Sequence, residues 1–235
     1  MPVITINGPV GCGAVETGQL VAQRLNINYV DRLVFAQAAK LVRSPVGALI
    51  DKEQRVDRFR DRLARFLGNV LEHCALYPDD SEPYFSSVEM LPSRTYPELA
   101  REPTSISQKV SDKVFIEAVT DVVKGLYRSG DVVIIGRGAN LILADAPGVL
   151  HVGMLAPREM RVETIMWRER FTREQAQAYV EEVEQARVDF FRKFFKVNPN
   201  DPNLYHIVLN LREMQPATAA ETIIRAARDL VSQPA

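Results

Sequence analysis

Six residues near the start of the chain have the types and spacing to hold an anion: Gly8, Pro9, Val10, Gly11, Cys12 and Gly13. They follow a β-branched run, Val3 to Ile6. They precede Val15, Gly18, Val21, Ala22 and Leu25, which recur at helical spacing. Backbone N–H groups at the start of a helix have no intrahelical partner and converge on one point. Glycine lets the preceding backbone curl around a phosphate with no Cβ in the way. The glycines fit the spacing of the phosphate-cradling pattern G-x-x-x-x-G-K-S/T. The two positions after them do not, because the lysine position is Ala14 and the hydroxyl position is Val15. The ammonium that would meet the β- and γ-phosphates is missing, and so is the hydroxyl that would hold Mg²⁺. By analogy with removing one preorganised donor, each loss costs about 3 kcal/mol of transition-state stabilisation. The loop is therefore either a phosphate cradle or a glycine turn that packs the first helix onto a sheet.

Arginines supply the other candidate chemistry. Arg137 stands between Gly136 and Gly138, directly after the apolar run Val132 to Ile135. The ligand crevice of an open parallel sheet lies at the carboxyl ends of its strands. Asp131 begins this run, so it falls at the wrong edge to hold a metal, and the right edge carries Arg137. A planar guanidinium matches phosphate oxygens with paired donors. Arg137 is either such a contact or a structural partner of a loop carboxylate. Segment 158–196 holds Arg158, Arg161, Arg168, Arg170, Arg173, Arg187 and Arg192 among a similar number of acids, including Glu184 and Asp189. Composition alone reads this as two helices laced by ion pairs. Phe190, Phe191, Phe194 and Phe195, three and four residues apart, read as core. Cys12 sits beside a helix N-terminus, a place that can lower a thiol pKa, yet no base partner is in view. His73 and His151 have no metal-ligating company in the sequence.

These residues need elements to position them. A short strand, Ile27 to Val30, ends at Asp31, which can cap a helix from Arg32 to about Val42. A further helix follows Asp51. Residues 77–105 carry Pro78, Pro83, Pro92, Pro97 and Pro103 and read as an inserted flap. A helix is expected over Gln108 to Tyr127, a strand over Asp131 to Ile135, a short helix and turn, and a strand over Val149 to Leu155. Two helices, about Pro157 to Arg170 and Thr172 to Lys196, come next, the second opened by the capping box Thr172/Gln175. A strand over Tyr205 to Asn210 and a helix over Ala217 to Val231 close the chain. Strands alternating with helices argue for a parallel sheet covered on both faces.

Bulk properties narrow the function classes. With 235 residues the chain is within reach of one domain, expected over 1–235. A net charge of -1 supplies no field to hold a nucleic-acid duplex. Two cysteines make no disulfide framework and fit a reducing compartment. No run is long and apolar enough to span a membrane, and no leader is visible, so a cytoplasmic protein is expected.

Four segments together resemble the cytidylate kinase-like family of nucleoside monophosphate kinases. They are ITINGPVGCGAVETGQLVAQRLNINYVDR, DVVIIGRGANLIL, LHVGMLAPREMRVETIM and LYHIVLNLREM. The resemblance implies a P-loop kinase fold: an α/β domain with a parallel five-stranded core sheet flanked by helices. The match leaves out about residues 45–105, so the helices and prolines over 31–105 read as an acceptor-side insertion with its flap, and 157–196 as an arginine-rich helical lid. It implies ATP and Mg²⁺ as cofactors, and transfer of a phosphoryl group to a nucleoside monophosphate such as CMP. Carried over by position, Gly8 to Val15 fall on the phosphate loop, and Asp31 and Arg32 on the acceptor-binding region. Arg137, Arg161, Arg187, Asp189 and Arg192 fall on the catalytic arginine set and its charged helix. The family usually has glycine and arginine where this chain has Ala14 and Val15, and an aspartate where it has His206. Three functions stay open: such a kinase, a non-catalytic nucleotide- or anion-binding module with a degenerate loop, and a scaffold using the 51–71 helix and the flap. The partner expected is a nucleotide or other phosphate-bearing small molecule, with the oligomeric state left open.

Overall fold

The computed structural model describes residues 2–31 and 106–232. The expected helices after Asp31 and Asp51, the 77–105 flap, Arg32, His73 and Cys74 lie outside the described residues.

Five parallel strands form one sheet: β1 (Val3–Asn7), β2 (Asn28–Val30), β3 (Val132–Ile135), β4 (Val149–Leu155) and β5 (Ile207–Asn210), in the order β2-β3-β1-β4-β5. Parallel neighbours need crossover connections, and the helices supply them. The described helices are α1 (Ala14–Leu25), α2 (Ile106–Ser129), α3 (Ala139–Ile142), α4 (Arg158–Glu169), α5 (Arg173–Phe195) and α6 (Pro216–Ser232). Alternation along the strands sorts side chains to two faces. Ile4, Ile6, Leu150, Val152 and Met154 pack on one face against Val21 and Ala22 of α1 and Ala220, Ile223 and Ile224 of α6. Val3, Val132, Ile134 and Val149 pack on the other against Val119, Val122, Val123 and Leu126 of α2 and Leu143 after α3. Burial on both faces explains why β1 reads as a continuous apolar run.

Among the described residues the expected elements hold, with shifts at their ends. The last strand starts at Ile207 because Pro202–Leu204 form a 3₁₀ turn and Tyr205 caps it. The Thr172/Gln175 capping box is present, with the Gln175 amide donating to Thr172 Oγ1 at 3.3 Å and the Thr172 amide to Gln175 Oε1 at 2.9 Å. The four phenylalanines are core: Phe190 and Phe191 are fully buried and pack with Leu141, Phe194 and Phe195.

Chain direction defines the crevice. From β1 the chain runs toward the β2 side, and from β4 it runs toward β5. The switch point therefore lies between the carboxyl ends of β1 and β4. The glycine loop leaves β1 at that edge, and α4 leaves β4 there.

One buried polar group sets the acid stability of this sheet. His151, 4% exposed on β4, pairs its Nδ1 with Thr5 Oγ1 at 2.8 Å. Its ring also lies 4.9 Å from that of His206. Burial first, then the neighbouring His206, pushes its pKa from the ordinary 6.5 down to about 4. Between those values the unfolded chain binds a proton that the fold refuses. Stability is therefore full above the upper value and falls as the pH drops toward the lower one. The contribution is about 3 kcal/mol at most. Urea unfolding at several pH values is expected to give a steeper acid loss for the wild type than for His151→Asn; equal slopes would remove His151 from the account.

Candidate functional site

The loop after β1 keeps its bend. Gly11 and Gly13 adopt φ of 78° and 85°, a region that only glycine enters without strain. The Cys12 amide donates to the Pro9 carbonyl at 3.2 Å, and the Thr17 amide to the Gly13 carbonyl at 3.0 Å. Gly13 caps α1 with no side-chain hydrogen bond, so the first-turn amides are left to other partners. That of Ala14 points to the Cys12 sulfur.

Packing also requires these glycines. A Cβ on Gly8 would lie 2.6 Å from the Cys12 sulfur and 2.6 Å from the Met154 carbonyl oxygen. On Gly11 it would lie 2.7 Å from the Arg161 carbonyl oxygen, and on Gly13 2.5 Å from a Leu211 methyl. The two readings of the loop, cradle and packing turn, are thus compatible. Val10 packs into the cluster of Val162, Ile165, Ala176 and Val180, so the α4/α5 hairpin sits directly on the loop.

Cys12 is not the activated thiol that a helix N-terminus can make. Burial dominates and pushes its pKa up to about 11, against the Ala14 amide and the positive charges of Arg187 and Arg161, which pull it down. A thiol held protonated is no nucleophile near neutral pH.

Two of the expected arginines reach the loop. Arg161 lays its backbone against Gly11, and its charge acts on Cys12. Its side chain is 13% exposed, and among the described residues its buried Nε and Nη1 have no hydrogen-bond partner. Its Nη1 faces Glu184 at 3.9 Å. Arg187 acts on Cys12 from α5. Its side chain is 3% exposed and donates from Nε at 3.2 Å and Nη2 at 2.8 Å to the two oxygens of Glu184. Nη2 also donates to Asn200 Oδ1.

Arg137 is buried at the end of β3, where the Gly136 amide donates to the Ile6 carbonyl at 2.8 Å. Gly136, Arg137 and Gly138 all have positive φ, and the Phe195 ring fills the space a Cβ on Gly138 would need. Asp31 follows β2, with β3 between it and β1, which puts it roughly 10 Å across the edge from the loop. Asp189 and Arg192 do not join the loop among the described residues. Arg192 is 71% exposed, and these two pair with each other at 3.5 Å while Gln185 bonds Asp189. Arg158 pairs with Glu181, and Arg173 with Glu159. For these residues the ion-pair reading of the two helices is the observed one.

Several contributors had no signal in the sequence. Asn7 Nδ2 donates to the Tyr205 hydroxyl at 2.7 Å, and that hydroxyl donates to the Pro199 carbonyl at 2.6 Å. Asn200, the next residue, receives Arg187. A chain of hydrogen bonds therefore ties the end of β1 to an arginine of α5. Arg168 of the two-helix segment reaches Glu16 in the first turn of α1 at 3.7 Å. The Glu184–Arg187 pair was readable from its three-residue spacing, but its position over the loop was not.

A phosphate group fits this donor set, because buried guanidinium donors without hydrogen bonds call for an anion. For Mg²⁺ the loop supplies no hydroxyl ligand, because position 15 is Val15. Mg²⁺ is ordinarily held by one or two protein oxygens together with the phosphates themselves, and no group of three or more His, Cys, Asp or Glu that could hold a metal ion stands among the described residues. No described helix is long and apolar enough to cross a membrane.

A glycine loop between the first strand and its helix, at the switch point of a five-stranded parallel sheet, defines a P-loop kinase fold. The chain belongs to the cytidylate kinase-like family, whose model matches residues 3–213. Membership supports a kinase-like phosphotransferase. Among solved structures, the chain is similar to an uncharacterized protein from Eubacterium ventriosum, with 14% identity, 97% of this chain and 99% of that chain covered, and a TM-score of 0.63. Shikimate kinase from Acinetobacter baumannii in complex with shikimate matches at 15% identity over 99% and 96% of the two chains, with a TM-score of 0.47. A gluconokinase from Sinorhizobium meliloti matches at 12% identity over 100% and 98%, with a TM-score of 0.40. Of these three, the first alone is close enough to speak for a shared fold. No curated protein matches the chain.

Proposed function

We propose that the chain transfers a phosphoryl group from ATP to a nucleoside monophosphate, CMP or a related small acceptor. The observation that supports this most is Arg161. Its backbone lies against Gly11, its charge reaches Cys12, and among the described residues its buried Nε and Nη1 have no hydrogen-bond partner. A charged group is buried in that state at a cost unless an anion completes it. The ATP phosphates then lie between the loop amides and Arg161, which supplies charge that Ala14 does not. Phosphoryl transfer asks for positioning and positive charge more than for covalent chemistry, and arginines provide both. Arg187 and Arg137 add charge from α5 and the end of β3, and Asp31 stands after β2, on the side proposed for the acceptor. Asp189 and Arg192 belong to the outer face of the lid, over 157–196, within one domain over 1–235. The loop itself contributes no hydroxyl to Mg²⁺, because position 15 is Val15.

The experiment is ADP release from the full chain with ATP and Mg²⁺ across the common nucleoside monophosphates. Release that depends on one monophosphate is expected. ATP binding with no turnover on any of them would favour the second reading, a nucleotide-binding module. That reading draws on Ala14, Val15 and the engagement of Arg187 by Glu184.

A further inference from the structure

We infer that Glu184 is a resident anion of the phosphate site, a specificity-determining carboxylate that a ligand must displace; this rests on the phosphate reading above. Glu184 takes the Nε/Nη2 edge of Arg187 with both its oxygens, at 3.2 and 2.8 Å. That paired-donor edge is the one a phosphate uses. The same carboxylate stands 3.9 Å from Nη1 of Arg161. It is no solvated surface charge, since its side chain is 23% exposed and those of the two arginines are 13% and 3%. Both arginines act on Cys12 of the loop. Glu184 and the two arginines thus share one poorly solvated space beside the glycine turn.

Geometry separates this role from that of a mere prop for Arg187. Arg187 has a second anchor, Asn200 Oδ1. The turn carrying Asn200 is fixed in its own right: the Asn200 amide donates to Asn198 Oδ1 at 3.0 Å, and the Pro199 carbonyl receives Tyr205, itself bonded to Asn7. The guanidinium therefore stays aimed when the carboxylate leaves it. Displacing Glu184 costs the same for any anion. A lone phosphate group has few other contacts to offset that cost. A polyphosphate chain that also reaches the loop amides has several. Glu184 thereby excludes small anions and admits ligands with a phosphate chain.

The test is calorimetric titration of the full chain with orthophosphate and with tripolyphosphate, in wild type, Glu184→Gln and Glu184→Asp. Glu184→Gln is expected to bind both probes about tenfold more tightly or better, the scale of close charge pairs at recognition sites. Orthophosphate becomes measurable in that variant, while Glu184→Asp, which keeps the charge, stays near wild type. A folded Glu184→Gln that binds tripolyphosphate as wild type does, or more weakly, overturns the inference and makes Glu184 a prop. If Glu184→Gln fails to fold, Arg187→Gln is compared with the double variant Glu184→Gln/Arg187→Gln. The double variant is expected to bind more tightly, because Glu184 still faces Arg161, and equal or weaker binding overturns the inference. Tripolyphosphate binding by none of these proteins, wild type included, brings down the phosphate reading itself.

Discussion

Arg161→Ala is expected to weaken ATP binding by about 10- to 100-fold, the loss of charge-assisted hydrogen bonds worth about 1.5–3 kcal/mol. The same change is expected to leave the ligand-free protein as stable as before, or more so. The reason is the state of the side chain: Nε and Nη1 are buried, they have no hydrogen-bond partner among the described residues, and Glu184 stands 3.9 Å from Nη1. Such a group costs the fold desolvation and returns little of it until an anion arrives. Opposed effects on affinity and stability are what a binding residue gives and a structural one does not. Arg161→Lys keeps the charge without the planar fork and is expected to fall between. Calorimetry for affinity and thermal unfolding for stability check the pair. A parallel loss of both would assign Arg161 to the core of the hairpin.

Gly11→Ala is expected to destabilise the protein by about 2–4 kcal/mol, and to lose ATP binding with it. Two costs add at this position. The backbone stands at φ 78°, which an L-residue with a Cβ enters only under strain. The new methyl would also sit 2.7 Å from the Arg161 carbonyl oxygen, a backbone atom that cannot rotate aside. The loop and α4 must then part, and that carries Arg161 away from the glycine turn. Gly125→Ala is the control. It lies in α2 where an added Cβ meets nothing within 4 Å, so replacing a helical glycine is expected to be neutral or to stabilise by about 0.5–1 kcal/mol. Urea midpoints of the two variants check the contrast; equal midpoints would show that the contact at Gly11 yields easily.

Local pattern carried most of the described fold. The β-branched run before Gly8, the helical spacing from Val15 to Leu25, and the capping box at Thr172 each reflect forces acting over a few residues, and each is where the spacing puts it. The sheet order adds nothing local, yet alternating strands and helices restrict it enough to expect the parallel arrangement found.

The candidate site was legible only in its types. Seven arginines in 158–196 look alike in sequence, with similar acids around each. Tertiary packing decides that Arg161 and Arg187 turn toward Cys12 while Arg192 stays 71% exposed. Tyr205 reaches Asn7 across 198 residues, a contact no window of local pattern contains. Cys12 shows the same limit in charge. A helix N-terminus favours the thiolate, but the thiol is buried in the core cluster that holds Met154, Leu209 and Leu211, and desolvation wins. The missing lysine and hydroxyl at Ala14 and Val15 were plain from the start. What stands near them instead could be seen only in three dimensions.

The most direct test of the whole account is calorimetric titration of the full chain with ATP, run beside adenosine. Saturable heat with ATP and none with adenosine is the predicted result, since the glycine turn and the arginines recognise phosphate and not the nucleoside. No binding of ATP, or adenosine bound as tightly as ATP, would contradict it.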